Sequence, residues 1–369
     1  MPAALDSRAD RLAVAVSEAG LDSLIVGDLV RPGDSGRDAI ADLTWLTGFS
    51  GSSGLALLGE GLRLFVTDFR YAERAEGALP SGFELLIADR NLAETISRRL
   101  GGRVGFDPRA TSVRERERIS EAAPEGVELI PREGLVEPLR RVKDATEVAA
   151  IAAAAELTDQ VYLELEEAGF AGRSEREVAI WADGRMRELG ASAPSFPPIV
   201  AAGPNGSLPH AEPGDRRVAA GDLVVVDMGA ILDGYCSDCT RTYGCGPVGG
   251  AERETYDLVL SAQLAGLEAL APGAAGRDVD AAARRLIDDA GQGRRFGHGL
   301  GHGVGIAVHE PPRLSQRSED ELLAGDVVTV EPGIYVPGEF GVRIEDLVVV
   351  AADGTRNLSG RPKQLIELD

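Results

Sequence analysis

Two pairs of carboxylates in the second half of the chain have the spacing to hold divalent cations. Asp227 closes the run Leu223-Val224-Val225-Val226, whose β-branched residues mark a buried strand. A carboxylate there is costly to bury without a partner. A hairpin turn centred on Leu232-Asp233, with Gly234 following, sets Asp238 directly opposite Asp227. Like charges facing each other across two strands destabilise a sheet. A cation between them turns that penalty into binding energy. The second pair repeats the pattern, since Glu331 and Glu345 are equidistant from Gly338 in the turn 337–339. Four carboxylates converging from two such hairpins would neutralise two divalent metals, lowering the pKa of a water between them from ~15.7 toward 7.

A nitrogen ligand should come from the histidines. All four, His210, His298, His302 and His309, lie within one hundred residues. In Phe296-Gly-His-Gly-Leu-Gly-His-Gly-Val-Gly305 glycine alternates with larger residues, the pattern of an extended strand. His298 and His302 then face the same side ~13 Å apart, four rises of ~3.3 Å, so they do not share one metal. One is a ligand, and the other stands behind it or touches substrate. Position alone does not choose between them.

Other chemistries fail on inspection. Lys143 and Lys363 are the only lysines, and neither sits in an apolar or glycine-rich pattern suited to a Schiff base. Cys236-Ser-Asp-Cys239 has no second cysteine pair or nearby histidine to complete a zinc site, and its cysteines are expected to pack beside Asp238. His309-Glu310 begins like HExxH but runs into Pro311-Pro312. No triplet of glycines between residues 297 and 306 satisfies GxGxxG, and Gly48-Phe-Ser-Gly-Ser-Ser-Gly54 misses the spacing of a nucleophile elbow.

The elements that must position these groups form an internal repeat. Residues 220–229 (AGDLVVVDMG) match 324–333 (AGDVVTVEPG) at an offset of 104, and Gly172-Arg173-Ser174 matches Gly276-Arg277-Asp278 at the same offset. The region therefore reads as two copies of helix–helix–strand–strand about a pseudo-twofold axis, with Asp227 and Glu331 in equivalent places. A long helix runs from Asp144 to Gly169, and a second, Ser174 to Leu189, opens with a capping-box spacing from Ser174 to Glu177. Before it, residues 1–138 alternate helices with short strands near 24–27, 54–58, 62–67, 83–87 and 103–106, an α/β pattern. Its first helix, Leu5 to Ala19, stops at Gly20, and the stretch 30–38 (VRPGDSGRD) reads as a mobile polar loop.

Taken together, Asp227, Asp238, His302, Glu331 and Glu345 resemble the dinuclear-metal site of metallopeptidase family M24. Its members have the pita-bread fold and include methionine aminopeptidase, aminopeptidase P and prolidase. DMGAILDGYCSDCTRT, GHGLGHGVGIAVHEPP, TVEPGIY and GVRIEDLVVV align with the family's motifs in order. The resemblance picks His302 as the ligand and implies that His210 and His309 contact substrate and the tetrahedral intermediate. It sets His298 and Arg343 behind the ligands and gives Glu331 a second task as proton shuttle. DLTWLTGFSGSSGLALL and LFVTDFRYAERA are similar to the creatinase-type N-terminal domain of the prolyl branch. The expected architecture is thus an α/β creatinase-like domain over residues 1–138 and an α+β pita-bread catalytic domain over 139–369.

The implied activity is hydrolysis of the N-terminal bond of short peptides, with Xaa-Pro bonds first and aminopeptidase P slightly ahead of dipeptidase. SFPPIV, at 195–200, replaces the Ser-Phe-Asp-Thr-Ile-Val of many Xaa-Pro peptidases, so a broader, non-prolyl aminopeptidase is the alternative. A non-catalytic pita-bread binding protein is a third reading, disfavoured because all five ligands are present. Oxygen-rich ligation with one imidazole suits Mn²⁺ first, with Co²⁺, Zn²⁺ or Fe²⁺ as alternatives. The resemblance also implies a homodimer.

Composition agrees with this class. The 369 residues carry a net charge of −22, which argues against nucleic acid and anionic membranes as partners. No apolar run approaches the ~20 residues of a membrane-spanning helix. The amphipathic N-terminus is unlike a signal peptide, and three cysteines fit reduced thiols, so the expected location is the cytoplasm.

Overall fold

The computed structural model describes residues 2–29, 37–89 and 91–368, which form two compact units divided between Arg140 and Arg141. Most of the loop expected at 30–38 lies outside the described residues; its last two residues open the helix Arg37–Thr47.

The first unit is built on one six-stranded mixed sheet. Its order is Glu84–Ala88, Leu62–Asp68, Gly54–Gly59, Ser23–Gly27, Arg103–Phe106 and Glu128–Pro131. The middle hairpin pairs Leu57 with Leu64 and Ala56 with Phe65, and the outer strands join in parallel. Leu57, Leu64, Val66 and Val104 are buried against helices on the sheet, whose caps follow sequence rules. Asn91 and Ser112, for example, each accept from the backbone N–H three residues on. A buried pair, Arg140 Nη1 to Asp42 Oδ1 at 2.7 Å, ties the closing segment of this unit to the helix Arg37–Thr47.

The second unit carries the repeat. Helices Ala145–Ala168 and Glu175–Glu188 precede strands Ile199–Ala202, Leu223–Met228 and Cys239–Cys245; helices Gly250–Glu268 and Gly276–Asp289 precede strands Gly301–Gly303, Val327–Val330 and Asp346–Ala351. Asp144 and Ser174 each form a complete capping box, as the spacing predicts for Ser174. The three strands of the first half join Glu367–Leu368 in a four-stranded sheet, and those of the second half lie in a five-stranded one. Strands Leu223–Met228 and Val327–Val330 are buried throughout, which is why their sequences run without polar alternation. No helix among the described residues is long and apolar enough to cross a membrane.

The two hairpins differ from expectation in one respect. In the first, Leu232 pairs with Tyr235 and Asp227 with Thr240, so the turn is centred on Asp233-Gly234, one residue later than the sequence reading. Both turn residues have positive φ, 50° and 85°, as a two-residue type I′ turn requires. Asp238 is therefore displaced along the strand from Asp227, and Thr240 takes the opposite place. In the second hairpin Val336 pairs with Phe340 and Val330 with Asp346, symmetric about Gly338 as expected. The extended reading of 296–305 holds only for Gly301–Gly303.

Candidate active site

Asp227 sits near the end of a strand paired on both sides, to Thr240 and to Ile199. Its Oδ2 accepts from Arg343 Nη2 at 2.6 Å, while its buried Oδ1 has no hydrogen-bond partner among the described residues. Asp238 lies in the link before strand Cys239–Cys245, and Glu345 in the link before strand Asp346–Ala351. Both are buried, and Glu345 Oε2 accepts from Thr240 Oγ1 at 2.7 Å. One ligand atom each from Asp238, His302 and Glu345 falls within 4.8 Å of the others. Glu331 completes the group, with Oε1 3.3 Å from His302 Nε2. All five residues line one cavity of about 560 Å³.

The geometry distinguishes the histidines that spacing left open. His302 Nδ1 lies 3.1 Å from the carbonyl oxygen of Gly303, which only accepts, so Nδ1 carries a proton. Nε2 then faces the carboxylates of Asp238 and Glu331, 3.6 and 3.3 Å away, and is the nitrogen for a proton or a cation to occupy. His298 is engaged at both nitrogens, Nδ1 by the carbonyl of Gly299 at 2.8 Å and Nε2 by Tyr335 Oη at 2.9 Å. The Tyr335 oxygen accepts in turn from Arg343 Nη1 at 2.9 Å. Arg343 reaches Asp227, Tyr335, Thr240 Oγ1 and the carbonyl of Pro209, and is itself buried. The ring of His309 packs against that of His302 with centroids 4.3 Å apart, and His210 lines the same cavity.

Electrostatics show a site short of positive charge. Burial raises the pKa of Asp238 well above the carboxylate range, and repulsion from Glu345, Asp227 and Glu331 adds to the rise. Glu345 is raised in the same way, by burial and then by Glu331 and Asp227. Asp227 is raised by burial against the pull of Arg343. His309 is pushed down to about 4 by burial, then by the charges of His302 and Arg313, so its ring is neutral at pH 7.

An unpartnered buried carboxylate oxygen, the carboxyls of Asp238 and Glu345 raised by burial and then by their acidic neighbours, and one imidazole with an inward Nε2 fit divalent cations. The thiols add no ligand: Cys236 Sγ contacts the carbonyl of Ile306 and Cys239 Sγ that of Glu345, and all three cysteines are buried. Tyr335, Thr240 and Arg313 were missed in the sequence. Only Thr240 had a usable signal, the Asp233-Gly234 turn that sets it opposite Asp227.

A two-half fold that brings this carboxylate–imidazole group together defines the class of a metal-dependent hydrolase. Residues 149–352 match metallopeptidase family M24, and residues 8–142 match the creatinase/prolidase N-terminal domain. The chain belongs to family M24, with a creatinase-type domain before its pita-bread domain. It is similar to the uncharacterized peptidase YqhT of Bacillus subtilis, 39% identical over 331 residues, 89% of this chain and 93% of that one. The structure of an Xaa-Pro dipeptidase from Bacillus anthracis superposes with a TM-score of 0.91 at 34% identity, covering 99% of this chain and 100% of that chain. That of an X-Pro aminopeptidase from Thermotoga maritima gives 0.89 at 32%, covering 98% and 100%.

Proposed function

We propose that the protein is an Xaa-Pro exopeptidase with two divalent metals, Mn²⁺ first, held by Asp227, Asp238, His302, Glu331 and Glu345. The buried, unpartnered Oδ1 of Asp227 beside carboxylates that repel one another carries this reading. Bound cations would supply an acidified water and polarise the scissile carbonyl. The chain's own groups do the rest. His210 and the neutral His309 donate N–H bonds to the oxyanion, each worth ~3 kcal/mol in comparable sites. The proline nitrogen carries no proton in an Xaa-Pro bond and must gain one to leave. Glu331 takes it from the attacking water and delivers it to that nitrogen. His298, Tyr335 and Arg343 form a hydrogen-bonded row that fixes Asp227.

Dipeptides are favoured over longer peptides by Arg313. This residue lines the cavity near His309, and among the described residues no carboxylate is hydrogen-bonded to its side chain. Its guanidinium suits a dipeptide's C-terminal carboxylate, whereas Arg343 already bonds Thr240, Pro209, Tyr335 and Asp227. The expected order of kcat/KM with Mn²⁺ is Ala-Pro above Ala-Pro-Ala, and both far above Leu-Ala-Ala and Met-Ala-Ala. Faster cleavage of Ala-Pro-Ala returns the reading to aminopeptidase P; faster cleavage of the non-prolyl tripeptides overturns Xaa-Pro specificity and leaves the metal site standing.

The same reading assigns catalysis to residues 139–369, sets the creatinase-like domain at 1–138 and places a homodimer in the cytoplasm. Light scattering at micromolar concentration should give twice the chain mass, and a monomer would refute the dimer. Neither nucleic acid nor anionic membrane is expected as a partner at a net charge of −22.

A further inference from the structure

The loop that carries His210 is tied down by a carboxylate that never reaches the cavity. Glu175 is the first residue of the helix Glu175–Glu188, and its side chain is fully buried. No arginine or lysine forms an ion pair with it among the described residues. Its oxygens are instead taken up by N–H groups of one segment. Oε1 accepts from the backbone of Ala202 at 2.8 Å and from Asn205 Nδ2 at 3.0 Å; Oε2 accepts from the same Nδ2 at 3.0 Å and from the backbone of Gly214 at 3.1 Å. Ala202 and Gly214 are the two ends of the loop, and His210 lies between them. The backbone supports the same junction, with Glu175 N donating to Arg216 O and Arg176 N to Gly214 O.

Arg216 acts on Glu175 electrostatically but forms no ion pair with it, and a buried carboxylate without a paired cation is tolerated only where N–H donors replace its water. The helix N-terminus adds favourable potential to that place. The His210 ring, by contrast, has no hydrogen-bond partner among the described residues, so its place over the cavity is set by its backbone. Other contacts also hold the loop, among them Arg343 Nη1 to Pro209 O at 3.2 Å and Gly338 N to Ser207 Oγ at 3.3 Å. The second half of the molecule has a comparable device. Asp280 in the helix Gly276–Asp289 accepts from Leu300 N at 3.0 Å, and its partner Arg284 donates to the carbonyls of Phe296 and His298. Each half thus fastens its histidine segment to a buried acid in its second helix.

We propose that Glu175 is a positioning residue for His210: it closes the ends of the loop on one carboxylate and so fixes the imidazole where the oxyanion forms. The proposal rests on the role given to His210 above. Glu175→Gln keeps the shape but turns one acceptor into an NH₂ that faces an N–H of the loop, so one end of the clamp opens.

The test is a cycle in the full-length, Mn²⁺-loaded protein with Ala-Pro as substrate: parent, E175Q, H210A and the double variant, with bound Mn²⁺ counted in each. E175Q should lower kcat by about 10²-fold, the cost of a misplacement near 1 Å, while bound Mn²⁺ stays at the parent value. The double variant should be no slower than H210A beyond about twofold, the ordinary tolerance of additivity. Effects that multiply, loss of bound Mn²⁺, or a parent-like kcat in E175Q would each overturn the clamp. A parent-like kcat in H210A would instead remove the role of His210 and the clamp with it. If E175Q does not fold, N205A, at a half-buried residue, decides: it should lower kcat about 3–10-fold and add nothing to H210A, and a parent-like kcat in N205A would overturn the proposal.

Discussion

Asp238→Asn should make the metal-free protein more stable at pH 8, while the Mn²⁺-loaded enzyme loses at least about 10–100-fold in kcat/KM, the loss caused even by residues behind a ligand. The opposite signs come from one cause. Without a cation, the Asp238 carboxylate is buried beside Glu345, Asp227 and Glu331, and its pKa stands well above the ordinary 3.8. A group raised in this way takes up a proton on folding, so its cost is absent below the unfolded value and grows as pH rises through the window above it. Asparagine never ionises and escapes that cost, but it is a poor ligand. Denaturation in chelator at pH 8 and pH 4 checks this, with the gain expected to vanish at the lower pH. An Asp238→Asn protein less stable than the parent at pH 8 would mean that the cluster is not repulsive.

Arg343→Met should act in the other direction. The Arg343 guanidinium bonds Asp227 Oδ2 at 2.6 Å, Tyr335 Oη at 2.9 Å and Thr240 Oγ1 at 3.1 Å. Methionine fills part of its volume but leaves the buried Asp227 carboxylate unpaired, a loss of about 3–5 kcal/mol in the metal-free protein. Divalent cations offer Asp227 a substitute counter-charge, so Mn²⁺ should stabilise the variant more than the parent. Paired denaturation curves with Mn²⁺ and with chelator measure the difference. Equal stabilisation of both proteins would separate Arg343 from the metal centre.

The sequence made the site legible because its chemistry is repeated. The offset of 104 related Asp227 to Glu331, and a carboxylate ending a β-branched strand is conspicuous in each copy. The symmetric turn about Gly338 gave the second register correctly. A turn centred on Leu232-Asp233 puts the first register one residue early, and Asp233-Gly234 is the stronger hairpin signal. That step hid Thr240, which now binds both Glu345 and Arg343. Spacing could not separate His298 from His302, since the difference lies in what each Nε2 meets: Tyr335 in one case, carboxylates in the other. Tyr335 and Arg313 carried no local pattern, being defined by chain segments far from them in sequence. Glu175 looked like an ordinary acidic residue in a helix's first turn, and its role appears only once the loop folds over it. The Cys236 and Cys239 thiols meet the carbonyls of Ile306 and Glu345 rather than any site carboxylate.

The most direct measurement counts divalent cations and activity in the same sample. Protein stripped by chelator and verified by elemental analysis should hold no Mn²⁺ and cleave no Ala-Pro. Titration with Mn²⁺ should bind two ions per chain in the parent, restoring activity, and fewer than two in Asp238→Ala and His302→Ala, which stay inactive. Full peptidase activity in verified metal-free protein, or two tightly bound ions in both variants, would contradict a metal centre built from these residues.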